Sequence, residues 1–341
     1  MKFRIISLLA LALWGVLHAG APGISFVDDP ELGKPFQVHY YDAGEGGRYH
    51  ATLVRYPWSH REKPKASILY IHGFNDYFFQ WELAQTLDAA GYAFYAIDLH
   101  NYGRSYRKGE VLGELRSLTS YFPELDSALQ KIRTLENTPL VMLGHSTGGL
   151  IATVYGAYRD NASALDAIVL NSPFLDMNMS PLVEALVPLI ALVGTIKPDI
   201  RIDRAENSSY SESLLKTHRG EWEFNQDLKT FTSLPVDFGW SAAIHAGHAL
   251  VQRGLKLAPP ILVLHSDCSV PAGTDKWVEA YSRCDGVLDV RDIRRYGKGL
   301  GKNVKMEAIE GGLHDLYLSR KPVREHAYRA TIRFLDSLFN K

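Results

Sequence analysis

The chain has little cysteine, no long basic run and no apolar stretch of membrane-spanning length. Only two of its 341 residues are cysteines, too few for the disulfide framework of a small secreted scaffold. Lys and Arg number 37 against 38 Asp and Glu, a formal charge of -1, which leaves no electrostatic case for a nucleic-acid partner. Internal repeats and low-complexity segments are also missing, so a solenoid or a disordered tail is not indicated. What remains is an ordinary globular composition, 46% hydrophobic and 22% charged, with ample material for a large core.

The most apolar stretch is N-terminal. Lys2 and Arg4 precede residues 5–17, and small residues follow at Ala19, Gly20 and Ala21. This is the pattern of a secretory signal peptide, and its apolar part falls short of the ~20 residues a spanning helix needs. Residues 1–20 are therefore expected to be a signal peptide, and the protein to be exported, either periplasmic or secreted. Export would permit Cys268 and Cys284 to pair. Residues 273–283 between them read as a helix, however, and about 11 residues at ~1.5 Å each would hold the thiols beyond the ~7 Å Cα limit. Two free, buried thiols are expected.

Further along, residues 33–42 and 49–56 are aromatic and β-branched runs split by Gly44-Glu45-Gly46-Gly47, which predicts an antiparallel pair at a sheet edge. The texture then changes. Apolar strands at 67–72, 92–98, 140–143 and 166–171 alternate with helices at 80–90, 120–135 and 150–158. Such alternation predicts an α/β fold, a mostly parallel sheet covered by helices on both faces, with the active site at the carboxyl ends of the strands. The pattern breaks after Ser172-Pro173 and resumes only at residues 260–265, a gap far beyond the usual connection of about 2–6 residues. Residues 174–257 are expected to form a mainly helical cap inserted between two core segments, 21–173 and 258–341. The second segment ends with a strand at 304–309 and a helix at 323–339.

Gly144-His145-Ser146-Thr147-Gly148 sits where strand 140–143 gives way to a helix. A serine at such a corner is pushed out above the strand ends, and flanking glycines let backbone and substrate approach. A serine hydroxyl is a weak nucleophile and needs a base, itself oriented by an acid. His314, after Gly311-Gly312 and the last strand, is the expected base. Asp267, directly after residues 261–266, is the expected acid, with Asp176 as the rival position. The backbone N–H groups of Thr147 and of Phe74, in the turn after strand 67–72, are the expected oxyanion donors. His245 and His248 have the i, i+3 spacing of a metal pair but no third ligand, so they read as solvated histidines. No metal or cofactor is expected.

Taken together, His72-Gly73-Phe74, residues 98–105, Gly144-His145-Ser146-Thr147-Gly148-Gly149, Asp267 and Gly312-Leu313-His314 resemble the α/β-hydrolase superfamily. Within it they are most similar to the branch of monoacylglycerol lipases, lysophospholipases and serine aminopeptidases. The likeness covers about residues 65–175 and 258–335. It implies an acyl-enzyme on Ser146, released by water that His314 activates. One departure is that His100-Asn101-Tyr102 replaces the Arg-Gly-His found in the middle of the family's second turn.

The cap bears on substrate. Ser180-Pro181 opens like a helix, and residues 182–196 are nearly all apolar apart from Glu184 and Pro188. They read either as a buried helix roofing the pocket or as an apolar face that makes transient contact with lipid surfaces. Trp222 and Trp240 are candidates for the pocket entrance. Glu221 and Glu223 would suit a free α-amine. The leading expectation is an exported hydrolase of single-chain lipid esters of the monoacylglycerol or lysophospholipid type. The alternatives are a serine aminopeptidase resembling proline iminopeptidases, or a catalytically silent binding protein.

Overall fold

Two apolar layers follow from strands whose residues are buried on both faces. In the strand over Ser67–Ile71, Ile68 and Tyr70 join one core and Leu69 and Ile71 the other, as the period-two alternation of side chains requires. The computed structural model describes residues 23–159, 165–202, 207–274 and 276–340. The expected signal peptide, residues 1–20, lies outside them.

In chain order the first core segment holds β1 (Val27–Asp28), β2 (Gln37–Ala43), β3 (Tyr49–Tyr56), β4 (Ser67–Ile71), α1 (Trp81–Ala89), β5 (Ala93–Asp98), α2 (Phe122–Glu136), β6 (Leu140–His145), α3 (Thr147–Tyr158) and β7 (Ala167–Asn171). The cap residues hold α4 (Pro181–Glu184), α5 (Val187–Gly194), β8 (Arg201–Ile202), α6 (Ser209–Leu214), β9 (Val236–Asp237) and α7 (Phe238–Gln252). The chain closes with β10 (Ile261–Ser266), α8 (Val290–Gly297), β11 (Val304–Ile309) and α9 (Lys321–Phe339).

The sheet runs β1-β2-β3-β5-β4-β6-β7-β10-β11. From β5 through β11 every pairing is parallel, whereas β1, β2 and β3 pair antiparallel at one edge. Strand order reverses at β4, so a crevice opens beyond the carboxyl ends of β4 and β6. Helices α1 and α9 cover the layer of Ile68, Tyr70, Val141, Leu143, Leu262 and Leu264. On the opposite face α2, α3 and α8 cover Leu69, Ile71, Met142 and Val263. The expected α/β architecture is the one found.

At the antiparallel edge, Arg104 is the pin. Its Nε and Nη2 donate to the Asp29 carboxylate at 2.8 Å each, and its Nη1 donates to Asp98 at 2.8 Å and to Phe78 O at 3.0 Å. A buried guanidinium is stable only when so paired.

Two local expectations are corrected. Among the described residues of 273–283 the regular structure is the 3-10 turn Glu279–Ser282 rather than the expected helix, because the segment folds back on itself. Cys268 and Cys284 consequently meet as a disulfide, with Cα atoms 4.9 Å apart, rather than as free thiols. In the cap, residues 182–196 form two helices. Pro188 stands in the first turn of α5, where a missing N–H costs nothing, and this restarts the chain after Leu186. Leu182, Leu186, Leu189, Leu192 and Ile196 point outward and are exposed.

Candidate active site

Ser146 lies between β6 and α3 with φ 53° and ψ -116°. This is a left-handed backbone for a residue with a Cβ, a strain that persists only where the surroundings impose it. They do so through glycines. A Cβ on Gly144 would lie 2.4 Å from Gly148 O, and one on Gly148 would lie 2.3 Å from Ile71 O. Hence α3 can start directly against β4 and β6 only if both positions are Gly. The Ser146 N–H donates to Asn171 O at 3.0 Å, and Ser146 O accepts from Gly149, Leu150 and Phe174 N–H groups, which fixes the corner.

The structure brings His314 to that hydroxyl. His314 Nε2 is 2.9 Å from Ser146 Oγ, and its Nδ1 is 3.0 Å from Asp285 Oδ2. With Nε2 accepting from the hydroxyl, Nδ1 carries the proton and donates to the carboxylate. Asp285 is fully buried. Its Oδ1 accepts from the Val287 and Leu288 N–H groups at 2.8 Å each, so its orientation is set by backbone.

Asp285, not Asp267, therefore faces the imidazole. Asp267 is exposed, and its Oδ1 accepts from the Gly311 N–H at 2.9 Å, bracing the glycine turn that leads to His314. The physical reason is the disulfide. The chain leaves β10, makes an excursion and returns beside its starting point, with the Asp285 N–H donating to Cys268 O at 2.9 Å. Asp176 is also elsewhere, its Oδ1 accepting from the Met177 N–H. The missed signal was the cysteine pair itself, which returns Asp285 to the strand end that Asp267 leaves.

Phe74 and Thr147 both line the cavity beside Ser146. Thr147 is the first residue of α3, where N–H groups lack intrahelical acceptors and carry the positive end of the helix dipole. The Phe74 turn is held from beneath. The Leu99 N–H donates to His72 Nε2 at 3.1 Å, so His72 Nδ1 is the protonated nitrogen and donates to Gly73 O at 2.8 Å. Burial pushes the pKa of His72 down, keeping it neutral. From above, the Asn75 side chain accepts from the Thr230 N–H and hydroxyl and donates to Thr230 O and Thr232 O, tying the turn to the cap.

Beneath the serine lies a buried charged group. His145 Nδ1 is 3.5 Å from Asp76 and 3.8 Å from Asp315, and Lys229 Nζ is 3.2 Å from Asp76. Burial alone would lower the His145 pKa, but the Asp315 and Asp76 carboxylates outweigh it and raise it. For Asp76 burial acts to raise the pKa, yet Lys229 and His145 hold it down at about 2. Asp76, His145 and Asp315 are close enough to share a cation. That charge is already supplied by Lys229, and Asp315 also accepts from the Gln80 and Asn171 amides. The cavity above measures about 280 Å³ and has an apolar wall of Phe74, Phe174, Leu234, Trp240, Val287 and Leu288.

Of the two entrance tryptophans expected, Trp240 lines this cavity. Trp222 is packed with Phe79 and donates its indole N–H to Leu318 O at 2.8 Å. Glu221 pairs with Arg324 and Glu223 with Lys216. His248, expected in solvent, is buried with Nε2 at 3.0 Å from Phe174 O.

A helix-covered parallel sheet carrying a Ser146–His314–Asp285 relay at its carboxyl edge defines an α/β-hydrolase. Within that class, the sequence pattern of the family described as Serine aminopeptidase, S33 matches residues 62–320, and the chain belongs to this family. It is similar to the monoacylglycerol lipase of Mycolicibacterium smegmatis, 28% identical over 232 residues that span 66% of this chain and 76% of that one. It is also similar to phospholipase YtpA of Bacillus subtilis, 26% identical over 280 residues, 81% of this chain and 96% of the relative. In fold it resembles a soluble variant of monoglyceride lipase from Saccharomyces cerevisiae, with a TM-score of 0.66 at 16% identity, covering 88% of this chain and 94% of that one.

Proposed function

We propose that the protein is a serine carboxylester hydrolase that cleaves single-chain lipid esters of the monoacylglycerol or lysophospholipid type. The observation that carries this reading is the 2.9 Å contact of Ser146 Oγ with His314 Nε2 at the floor of a cavity with one apolar wall. His314 takes the hydroxyl proton as Oγ attacks the ester carbonyl, and Asp285 stabilises the imidazolium. The oxyanion develops toward the Thr147 and Phe74 N–H groups, each such donor contributing on the order of 3 kcal/mol in the transition state. His314 then protonates the departing alcohol, and water activated by the same imidazole releases the acid.

An acyl chain suits the wall of Phe74, Phe174, Leu234 and Trp240. Both curated relatives are named for lipid substrates, a monoacylglycerol lipase and a phospholipase. An aminopeptidase is the weaker reading. Among the described residues lining the cavity none is Asp or Glu, while Lys229 is one of them, so a substrate ammonium would meet a like charge and no carboxylate. The outward apolar row at Leu182, Leu186, Leu189, Leu192 and Ile196 supports transient contact of the cap with lipid surfaces. Export is part of the same proposal, supported by the N-terminal pattern and by a disulfide, which persists in oxidising compartments.

Two measurements test the reading. Fluorophosphonate labelling should occur in the wild type and vanish in Ser146→Ala. A rate panel should rank monoacylglycerols and lysophospholipids above proline arylamides, and the reverse ranking would overturn the ester assignment.

A further inference from the structure

In a parallel sheet of this topology a residue from the end of β10 is the natural partner of a histidine that follows β11. Here the partner arrives indirectly. The chain passes the strand end at Asp267, turns away at Cys268 and comes back at Cys284, 16 positions later and 4.9 Å away across Cα atoms. Asp285 is the next residue. Its backbone is clipped to the same place, with its N–H donating to Cys268 O at 2.9 Å and its carbonyl accepting from the Val270 N–H at 2.8 Å.

The excursion has only a small apolar core of its own among the described residues. Its own core consists of the buried Val270, Tyr281 and Cys284, with Cys268, Trp277 and Ala280 partly buried against them. So small an apolar cluster is the situation in which folds rely on covalent staples. Its outer contacts reach the cap rather than the sheet. The Trp277 indole donates to Ser213 Oγ at 3.3 Å, and Arg219 stacks 3.9 Å from the Trp277 ring. With the bridge open, the carboxylate that orients His314 would be left to this cluster, to the two backbone hydrogen bonds with Cys268 and Val270, and to the Val287 and Leu288 N–H groups on its Oδ1.

We propose that Cys268 and Cys284 are positioning residues for the hydrolysis. Their disulfide holds Asp285 against His314 Nδ1, and its reduction lowers turnover by releasing that carboxylate. The inference rests on the ester-hydrolase reading. Reduction delivers two electrons and two protons to the bridge, giving two thiols, while the phosphine or dithiol reductant is oxidised. No bond at Ser146, His314 or Asp285 changes.

The experiment compares the full chain, oxidised and after reduction by tris(2-carboxyethyl)phosphine to two titratable thiols, in hydrolysis of p-nitrophenyl butyrate. Because a misplacement of about 1 Å at a catalytic group can cost about a hundredfold, kcat is expected to fall by about that factor while KM stays within about twofold. Reoxidation should restore kcat. Asp285→Asn is carried through the same cycle, with fluorophosphonate labelling rates replacing turnover. If the bridge acts through Asp285, reduction of this variant should change its rate by less than about twofold. An unchanged kcat in the fully reduced wild type would overturn the proposal. So would an equal loss in Asp285→Asn, because the bridge would then support the fold at large. An oxidised wild type that neither turns over the ester nor labels at Ser146 would instead remove the hydrolase reading, and this inference with it.

Discussion

Replacing Asp285 by Asn separates geometry from charge at the site. The side chain keeps its shape, and its Oδ1 can still accept from the Val287 and Leu288 N–H groups. With that oxygen so held, the Oδ2 position becomes an amide nitrogen, so one of the two atoms that lie 3.0 Å from His314 Nδ1 turns from acceptor to donor. A donor there repels the Nδ1 proton while Oδ1 is already occupied by two backbone N–H groups, which favours the other tautomer, the one that presents a proton, not a lone pair, to Ser146. The comparable Asp to Asn change in a serine protease triad lowers kcat by about 10⁴-fold, equivalent to about 5 kcal/mol at 1.36 kcal/mol per decade. We expect a loss of this order for Asp285→Asn, read as the acylation rate in a burst assay with p-nitrophenyl butyrate. Asp267→Asn is the matched control. An Asn oxygen can accept the same 2.9 Å bond from the Gly311 N–H, so its rate should stay within about threefold, the scale of one modest hydrogen bond. A large loss at 267 with a mild one at 285 would refute the reasoning.

Other expectations follow from the same geometry. Gly148→Ala places a methyl 2.3 Å from Ile71 O, and overpacking of this kind costs about 1–3 kcal/mol; urea unfolding should show it together with slower Ser146 labelling. Burial lowers the pKa of His248 to about 4. The unfolded chain therefore takes up this proton first, and stability falls as pH drops from about 6.5 to about 4, by up to roughly 3 kcal/mol. His248→Gln should flatten that part of the stability profile, and parallel profiles for variant and wild type would contradict the assignment. Lys229→Met leaves the Asp76 carboxylate, held at about 2 in the native protein, without its ammonium partner. Breaking a buried pair in this way costs about 3–5 kcal/mol, visible as a large drop in Tm, with the Asp76 pKa rising.

The layered sheet was legible in the sequence because its central strands are continuous apolar runs bounded by helix-forming segments, and the strands at 261–266 and 304–309 match β10 and β11 residue for residue. The approach of Ser146 to His314 was legible for a related reason, since both follow strand ends and their local turns carry glycine. Asp285 was not legible. Linear spacing treats residues 268–284 as a rod, whereas a crosslink makes them a closed loop, so the carboxylate nearest the strand in sequence is not the nearest in space. The exposed cap row was left open between two readings. Apolar content alone does not say which side a helix turns outward, and here apolar side chains on both sides of the break before Val187 face out.

The Arg104 pin extends its reach to the chain's own N-terminal edge. Asp29 supplies half of the counter-charge around that guanidinium, and the other carboxylate, Asp98, also receives the Phe78 N–H, four residues along from the oxyanion turn. Proteolytic trimming that stopped short of residue 29 would spare the interior, while a cut just beyond it would leave a half-neutralised cation inside and unsettle the catalytic loop from behind. Asp29, one residue past β1, thus marks how far the N-terminal edge can be shortened before a buried ion pair is lost.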